Sequence, residues 1–302
     1  MTASPDGVLI VDKSAGPTSH DVVAVGRRAL GTSRVGHTGT LDPLATGVLV
    51  LVAGRATRLA RFMANDEKEY EARVAFGRST TTYDAEGATT GQTGRVPDRA
   101  TLSALLASRV GAQLQTPPAY SAKKVGGEVA YSAARRDAPL TLRPVTVTVH
   151  ALSLEAYDDG VATVRMRVSA GFYVRALAHE LGEVLGTGAY LAGLRRTRAG
   201  SFDLGGAVGW EALATAARGT LAAALLPVDH LLPALPAATL TPEAARRVRH
   251  GQSVQAAISD DSVTGPVRLL DDLGHLLGIA EARPGPVGAG ALRFLQPVVV
   301  LS

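Results

Sequence analysis

The chain has 302 residues, 46% of them hydrophobic, with 31 Lys and Arg against 27 Asp and Glu. That length and apolar content suffice for one large folded domain plus a small one and exclude a chain that is disordered throughout. The absence of cysteine excludes disulfides, thiolate nucleophiles and Cys-based zinc sites, and the seven histidines show no metal-ligand spacing.

Residues 1–7 lack a basic segment followed by an apolar one, and Val48–Ala53 is too short to cross a bilayer, so a cytoplasmic protein without membrane contact is expected. The net charge of +4 is carried by 27 arginines and four lysines. Arginine forks suit phosphates, which fits a polyanionic partner, while a compositional bias toward Arg and Ala accounts for the same count.

In chain order, Gly7–Asp12 reads as a buried strand, and Thr18 and Asp21 have capping-box spacing at the head of a helix ending near Leu30. The glycine-punctuated loop Gly36–Pro43 leads to an apolar strand, Gly47–Ala53, which Gly54 ends before an arginine-bearing helix. Tyr70, Ala72, Val74 and Phe76 alternate with Glu71, Arg73 and Ala75 as in a half-buried strand. Asp98 is placed to cap a helix with Leu102, Leu105, Leu106 and Val110 on one side, and Pro117-Pro118 opens a long irregular segment reaching Arg143. Another strand carries Val164, Met166 and Val168. A helix from about Tyr173 to Leu185 is expected to turn Leu177, Leu181 and Val184 inward. Leu231–Pro242 reads as a linker, followed by short strands at Val267–Leu270, Leu276–Ala280 and Val298–Leu301. The order predicts an α+β fold with a mixed, largely antiparallel sheet flanked by helices, plus a small β-rich C-terminal domain.

Several residues admit both a structural and a chemical role. Asp42 before Pro43 is either a helix N-cap or a loop carboxylate facing a cleft. Arg175, near a helix start, opposes the helix dipole by about 0.3–1 kcal/mol, so a compensating carboxylate is expected, with or without a catalytic task. Tyr70 is either core or a ring that stacks on an extruded base, and His37 is either a hydrogen-bonded loop histidine or a wedge against bases. Arg55, Arg58 and Arg61, with Arg27, Arg28 and Lys13, form either a phosphate track or a solvated basic face. Gly285, Gly288 and Gly290 lack the strand and helix context of a nucleotide loop, so no nucleotide cofactor is expected.

The string Gly36-His-Thr-Gly-Thr-Leu-Asp42-Pro-Leu-Ala-Thr-Gly47 resembles the signature loop of the TruB family of tRNA pseudouridine synthases at twelve consecutive positions. Further matches follow in order: Val11-Asp12-Lys13 with Gly16-Pro17-Thr18-Ser19, Gln115-Thr-Pro-Pro118 with Ser121-Ala122-Lys123, and Tyr173-Val174-Arg175. The resemblance implies that Asp42 is the essential aspartate, Tyr70 the active-site tyrosine and Arg175 the arginine paired with the aspartate. It assigns substrate contacts to His37, Tyr173, Leu194, Lys13 and Arg58, with Tyr173 and Leu194 lining the uracil pocket.

The family pattern further implies a catalytic domain over 1–235 with an RNA-clamping insertion at about 117–143, and a PUA-like domain over 236–302 that contacts the acceptor stem. The partner is then tRNA, through its T-arm and acceptor stem, and not DNA. The protein is expected to act as a monomer, with no cofactor and no metal. Arg58 stands where the family usually has lysine, and Phe172 where it has threonine. Rival readings are a non-catalytic tRNA-binding or folding factor and a guide-RNA-dependent pseudouridine synthase. A metal-assisted hydrolase calls for further carboxylates near Asp42, and the loop carries none.

Overall fold

The computed structural model describes residues 5–121, 123–134, 136, 138, 140–258, 265–283 and 292–301. Among these, ten strands form one mixed sheet whose main path runs Val208–Gly209, Gly7–Lys13, Ala45–Ala53, Ala189–Ala199, Lys68–Phe76, Val161–Val168, Val145–Asp158 and Gly111–Gln115. Val35–His37 and Phe202–Asp203 pair off this path. Pairing is antiparallel except between Gly7–Lys13 and Val208–Gly209 and between Ala45–Ala53 and Ala189–Ala199.

The near-continuous apolar run of the first strand is explained by burial on both faces. Leu9 and Val11 enter one core with the helices Ser19–Leu30 and Val174–Leu185, whereas Val8 and Ile10 enter a second core on the opposite face. That second core also contains Leu276, Ile279, Val299 and Leu301. The C-terminal residues thus cover the back of the large sheet. They form a five-stranded sheet in the order Ala237–Thr239, Gly265–Leu270, Leu276–Ala282, Arg293–Val300, Val254–Ala256.

The expected capping box is present: the Asp21 amide donates to Thr18 Oγ1 at 3.1 Å and the Thr18 amide to Asp21 Oδ2 at 2.9 Å. Asp98 likewise caps Arg99–Ser108. Four expectations are corrected. Val184 is 59% exposed, because the buried stripe of Val174–Leu185 runs through Leu177, Ala178, Leu181 and Gly182 and leads on to Leu185. Val110 lies beyond the last helical residue, Ser108, and is likewise exposed. Pro117–Arg143 is not wholly irregular, since it contains the hairpin Lys124–Val125/Glu128–Val129 and the helix Ala130–Ala134. Leu231–Pro242 is no loose tether: Leu231 and Leu232 are buried and Ala237–Thr239 pairs in parallel with Gly265–Leu270. The glycines 285, 288 and 290 lie outside the described residues.

Candidate active site

The loop that carries Asp42 is built on buried cations rather than on a helix. No helix follows Asp42; its carbonyl accepts from the Ala45 amide in a tight turn, which excludes the N-cap reading. Lys13, fully buried, donates to the carbonyls of Ser14 (2.8 Å), Pro43 (3.2 Å) and Ala45 (2.6 Å). Arg196, 2% exposed, donates to the carbonyls of Val48 (2.7 Å), Thr40 (3.3 Å) and Gly39 (3.0 Å). Ser19 Oγ both donates to the Leu41 carbonyl and accepts from its amide. The carbonyls of the loop and of the first residues of Ala45–Ala53 thereby find donors, as buried backbone requires. Gly47 closes the loop at φ +97°, where a Cβ would meet the Arg196 carbonyl oxygen at 2.1 Å.

Held this way, the Asp42 carboxylate meets the guanidinium of Arg175 in a forked pair, Nε to Oδ2 at 2.8 Å and Nη2 to Oδ1 at 3.2 Å. The Arg175 side chain is only 6% exposed while that of Asp42 is 34% exposed, so the carboxylate keeps an open side. Arg175 also donates to the carbonyls of Tyr120 (2.8 Å) and Thr82 (3.2 Å), and its Nη1 lies 3.6 Å from Asp84 Oδ2. This arrangement supplies the compensation that a cation in the first helical turn requires.

The open side faces a cavity of about 260 Å³. Asp42, Tyr70, Tyr173, Arg175 and Leu194 all line it, so the structure brings these five expected residues together. Tyr70 is 8% exposed and belongs to the core and the cavity wall at once. Burial pushes the Tyr173 phenol up from its ordinary value. Lys68, also in the wall, has its ammonium lowered to about 8 by burial, against the opposing pull of Asp66. Lys13 is lowered to about 8 for the same reason, opposed by Asp42 and Glu86. Burial, then Asp84 and Asp42, raise the Glu86 carboxyl.

Three expected residues stand apart from the cavity wall. Lys13 lies beneath the loop. His37 sits on the edge strand Val35–His37 with its ring edge-on to His20 at 5.9 Å, and burial lowers its pKa. Arg58 reaches the other way and donates to the Val300 carbonyl at 2.6 Å. Of the expected phosphate track, Lys13 is corrected, because it is buried; Arg55 bonds the Leu301 carbonyl and pairs with Asp6, and Arg27 and Arg28 bond backbone carbonyls, while these three arginines stay exposed. Asp84, Lys68 and Arg196 were not among the expected site residues. Asp84 sits in a run of small polar residues with no periodicity, and Arg196 in an arginine-rich strand where no spacing marks it.

Residues 27–174 match the family described as TruB family pseudouridylate synthase (N terminal domain). Over 279 residues the chain is 43% identical to the tRNA pseudouridine synthase B of Solibacter usitatus, covering 91% of this chain and 95% of that one. The chain belongs to the TruB family. It is therefore a pseudouridylate synthase, an isomerase. The TruB relative from Thermobifida fusca, also a tRNA pseudouridine synthase B, is 42% identical over 98% of this chain and 99% of its own. Residues 175–233 match the tRNA pseudouridylate synthase B C-terminal domain and 236–289 the description Pseudouridine synthase II TruB, C-terminal. The fold is shared with a chain in the crystal structure of a Cbf5-Nop10-Gar1 complex, at a TM-score of 0.77 and 24% identity over 99% of this chain and 85% of that chain. Among the described residues, no helix is long and apolar enough to cross a membrane.

Proposed function

We propose that this TruB protein converts one uridine in the T-loop of tRNA, at position 55, to pseudouridine, with Asp42 as the group that acts at the sugar. The observation that carries this reading is the forked Asp42–Arg175 pair opening onto a cavity walled by Tyr70, Tyr173 and Leu194. A cavity of about 260 Å³ takes one everted pyrimidine and excludes a base pair. The naming of its relatives as tRNA pseudouridine synthase B supports tRNA as the substrate class.

In the reaction the N1–C1′ bond breaks, the uracil turns within the cavity, and a C5–C1′ bond forms. The C5 proton leaves and N1 gains one, so product and substrate are isomers and no oxidant is consumed. Asp42 serves as nucleophile or base at the ribose, Arg175 holds and aims it, and Tyr70 stacks on the turning ring. Outside the cavity, His37 on the half-buried edge strand Val35–His37 holds the opened loop. Residues 1–235 act as the catalytic unit, about 117–143 clamp the RNA, and 236–302 contact the acceptor stem.

The test is to incubate the purified protein with unmodified tRNA transcript, without guide RNA, and map pseudouridine. One modified position in the T-loop is expected. Modification that needs a guide RNA supports the guide-dependent reading, and none at all, despite tight binding, supports a folding factor.

A further inference from the structure

Gln115 ends the edge strand Gly111–Gln115 and is 2% exposed. Its side-chain amide makes a reciprocal pair with one backbone unit across the sheet edge. Gln115 Nε2 donates to the Tyr173 carbonyl at 3.1 Å, and the Tyr173 amide donates to Gln115 Oε1 at 2.8 Å. Tyr173 is the N-cap residue of the helix Val174–Leu185, and that helix has no capping side chain of its own and no acidic residue in its first turn. Gln115 therefore takes up the N-cap amide from outside the helix, as the N3 side chain of a capping box does from within, and it fixes the angle at which the helix starts.

Two residues beyond Tyr173, Arg175 donates to the carbonyl of Tyr120, five residues beyond Gln115. The chain segments 115–120 and 173–175 are thus tied at both ends, by the Gln115 amide and by the Arg175 guanidinium. A shift at either tie moves the other. We propose that Gln115 is a positioning residue for the isomerisation: it holds the Tyr173 backbone so that the Arg175 fork meets Asp42, and links that geometry to the segment following Pro117-Pro118. The proposal rests on the reading of Asp42 and Arg175 given above.

Two variants test it. Gln115→Met keeps the length and volume but removes both hydrogen bonds. Gln115→Glu keeps an acceptor for the Tyr173 amide, turns a second oxygen on the Tyr173 carbonyl when ionised, and regains a donor when protonated. Single-turnover pseudouridine formation on tRNA is measured beside tRNA affinity and thermal unfolding, with Asp42→Asn as the reference for lost chemistry. A misplacement of the order of 1 Å costs about a hundredfold in rate. Gln115→Met is accordingly expected to turn over about ten- to a hundredfold more slowly, with affinity within about threefold of wild type. For Gln115→Glu, the rate relative to wild type at the same pH is expected to climb as pH falls from about 8 to about 5.5.

A wild-type rate in Gln115→Met while Asp42→Asn is inactive overturns the positioning role and leaves the active-site reading intact. Turnover by Asp42→Asn removes the reading beneath both. Equal losses of affinity and rate, or unfolding of both Gln115 variants without the pH response, make Gln115 structural only and overturn the proposal.

Discussion

Replacing Arg175 with lysine separates charge from geometry. The wild-type guanidinium spans both carboxylate oxygens of Asp42, at 2.8 and 3.2 Å, and reaches the Tyr120 and Thr82 carbonyls in addition. A single ammonium keeps the positive charge but cannot occupy the fork, so at least two charge-assisted bonds are lost. At about 1.5–3 kcal/mol each, the loss is about 3–6 kcal/mol. With tenfold in rate for every ~1.4 kcal/mol, expression of the whole loss in the transition state slows turnover by about 10²–10⁴-fold. The assay is single-turnover release of tritium from tRNA labelled at uridine C5, because that hydrogen leaves only when the new carbon–carbon bond is completed. Affinity for tRNA is expected to stay within about threefold, since the altered group lies behind the carboxylate. A rate within about fivefold of wild type refutes the argument that the fork, rather than charge alone, prepares Asp42.

Other outcomes follow from the same structure. Gly47→Ala puts a Cβ 2.1 Å from the Arg196 carbonyl oxygen at φ +97°, so a loss of about 3 kcal/mol or more in urea unfolding is expected, and an unchanged midpoint contradicts it. Arg58→Ala removes a bond to the Val300 carbonyl and should lower unfolding stability by about 0.5–1.5 kcal/mol while the single-turnover rate holds. A lost rate with unchanged stability returns Arg58 to the substrate. Burial holds Lys68 at about 8, below its ordinary 10.5, so between these values the unfolded chain binds more protons than the folded one. Stability contributed by this group therefore rises with pH across that window, and urea titrations of Lys68→Met should show a smaller rise than wild type; identical slopes count against it.

The helix caps at Thr18 and Asp98 and the alternating strand through Tyr70 were legible because each rests on local periodicity or a short-range hydrogen bond, and the α+β class followed from the order of such elements along the chain. Asp42 and Arg175 were legible as candidates, but their meeting was not: they are 133 positions apart, and only the sheet brings the loop beside the helix start. The buried supports were hidden for a related reason. Lys13 and Arg196 look like surface cations in a basic chain, yet both serve loop carbonyls that no periodicity reveals. Arg55 and Arg58 are exposed, as their regular spacing suggested, but their bonds to the carbonyls of Leu301 and Val300 near the C-terminus could not be read from that spacing.

The central claim is that the carboxylate of Asp42 carries the chemistry. Asp42→Asn preserves side-chain size and an acceptor for Arg175 while removing the charge, and its single-turnover tritium release from C5-labelled tRNA is the deciding measurement. No release above the enzyme-free control is expected, with tRNA still bound at near wild-type affinity. Release at a rate comparable to wild type contradicts the account.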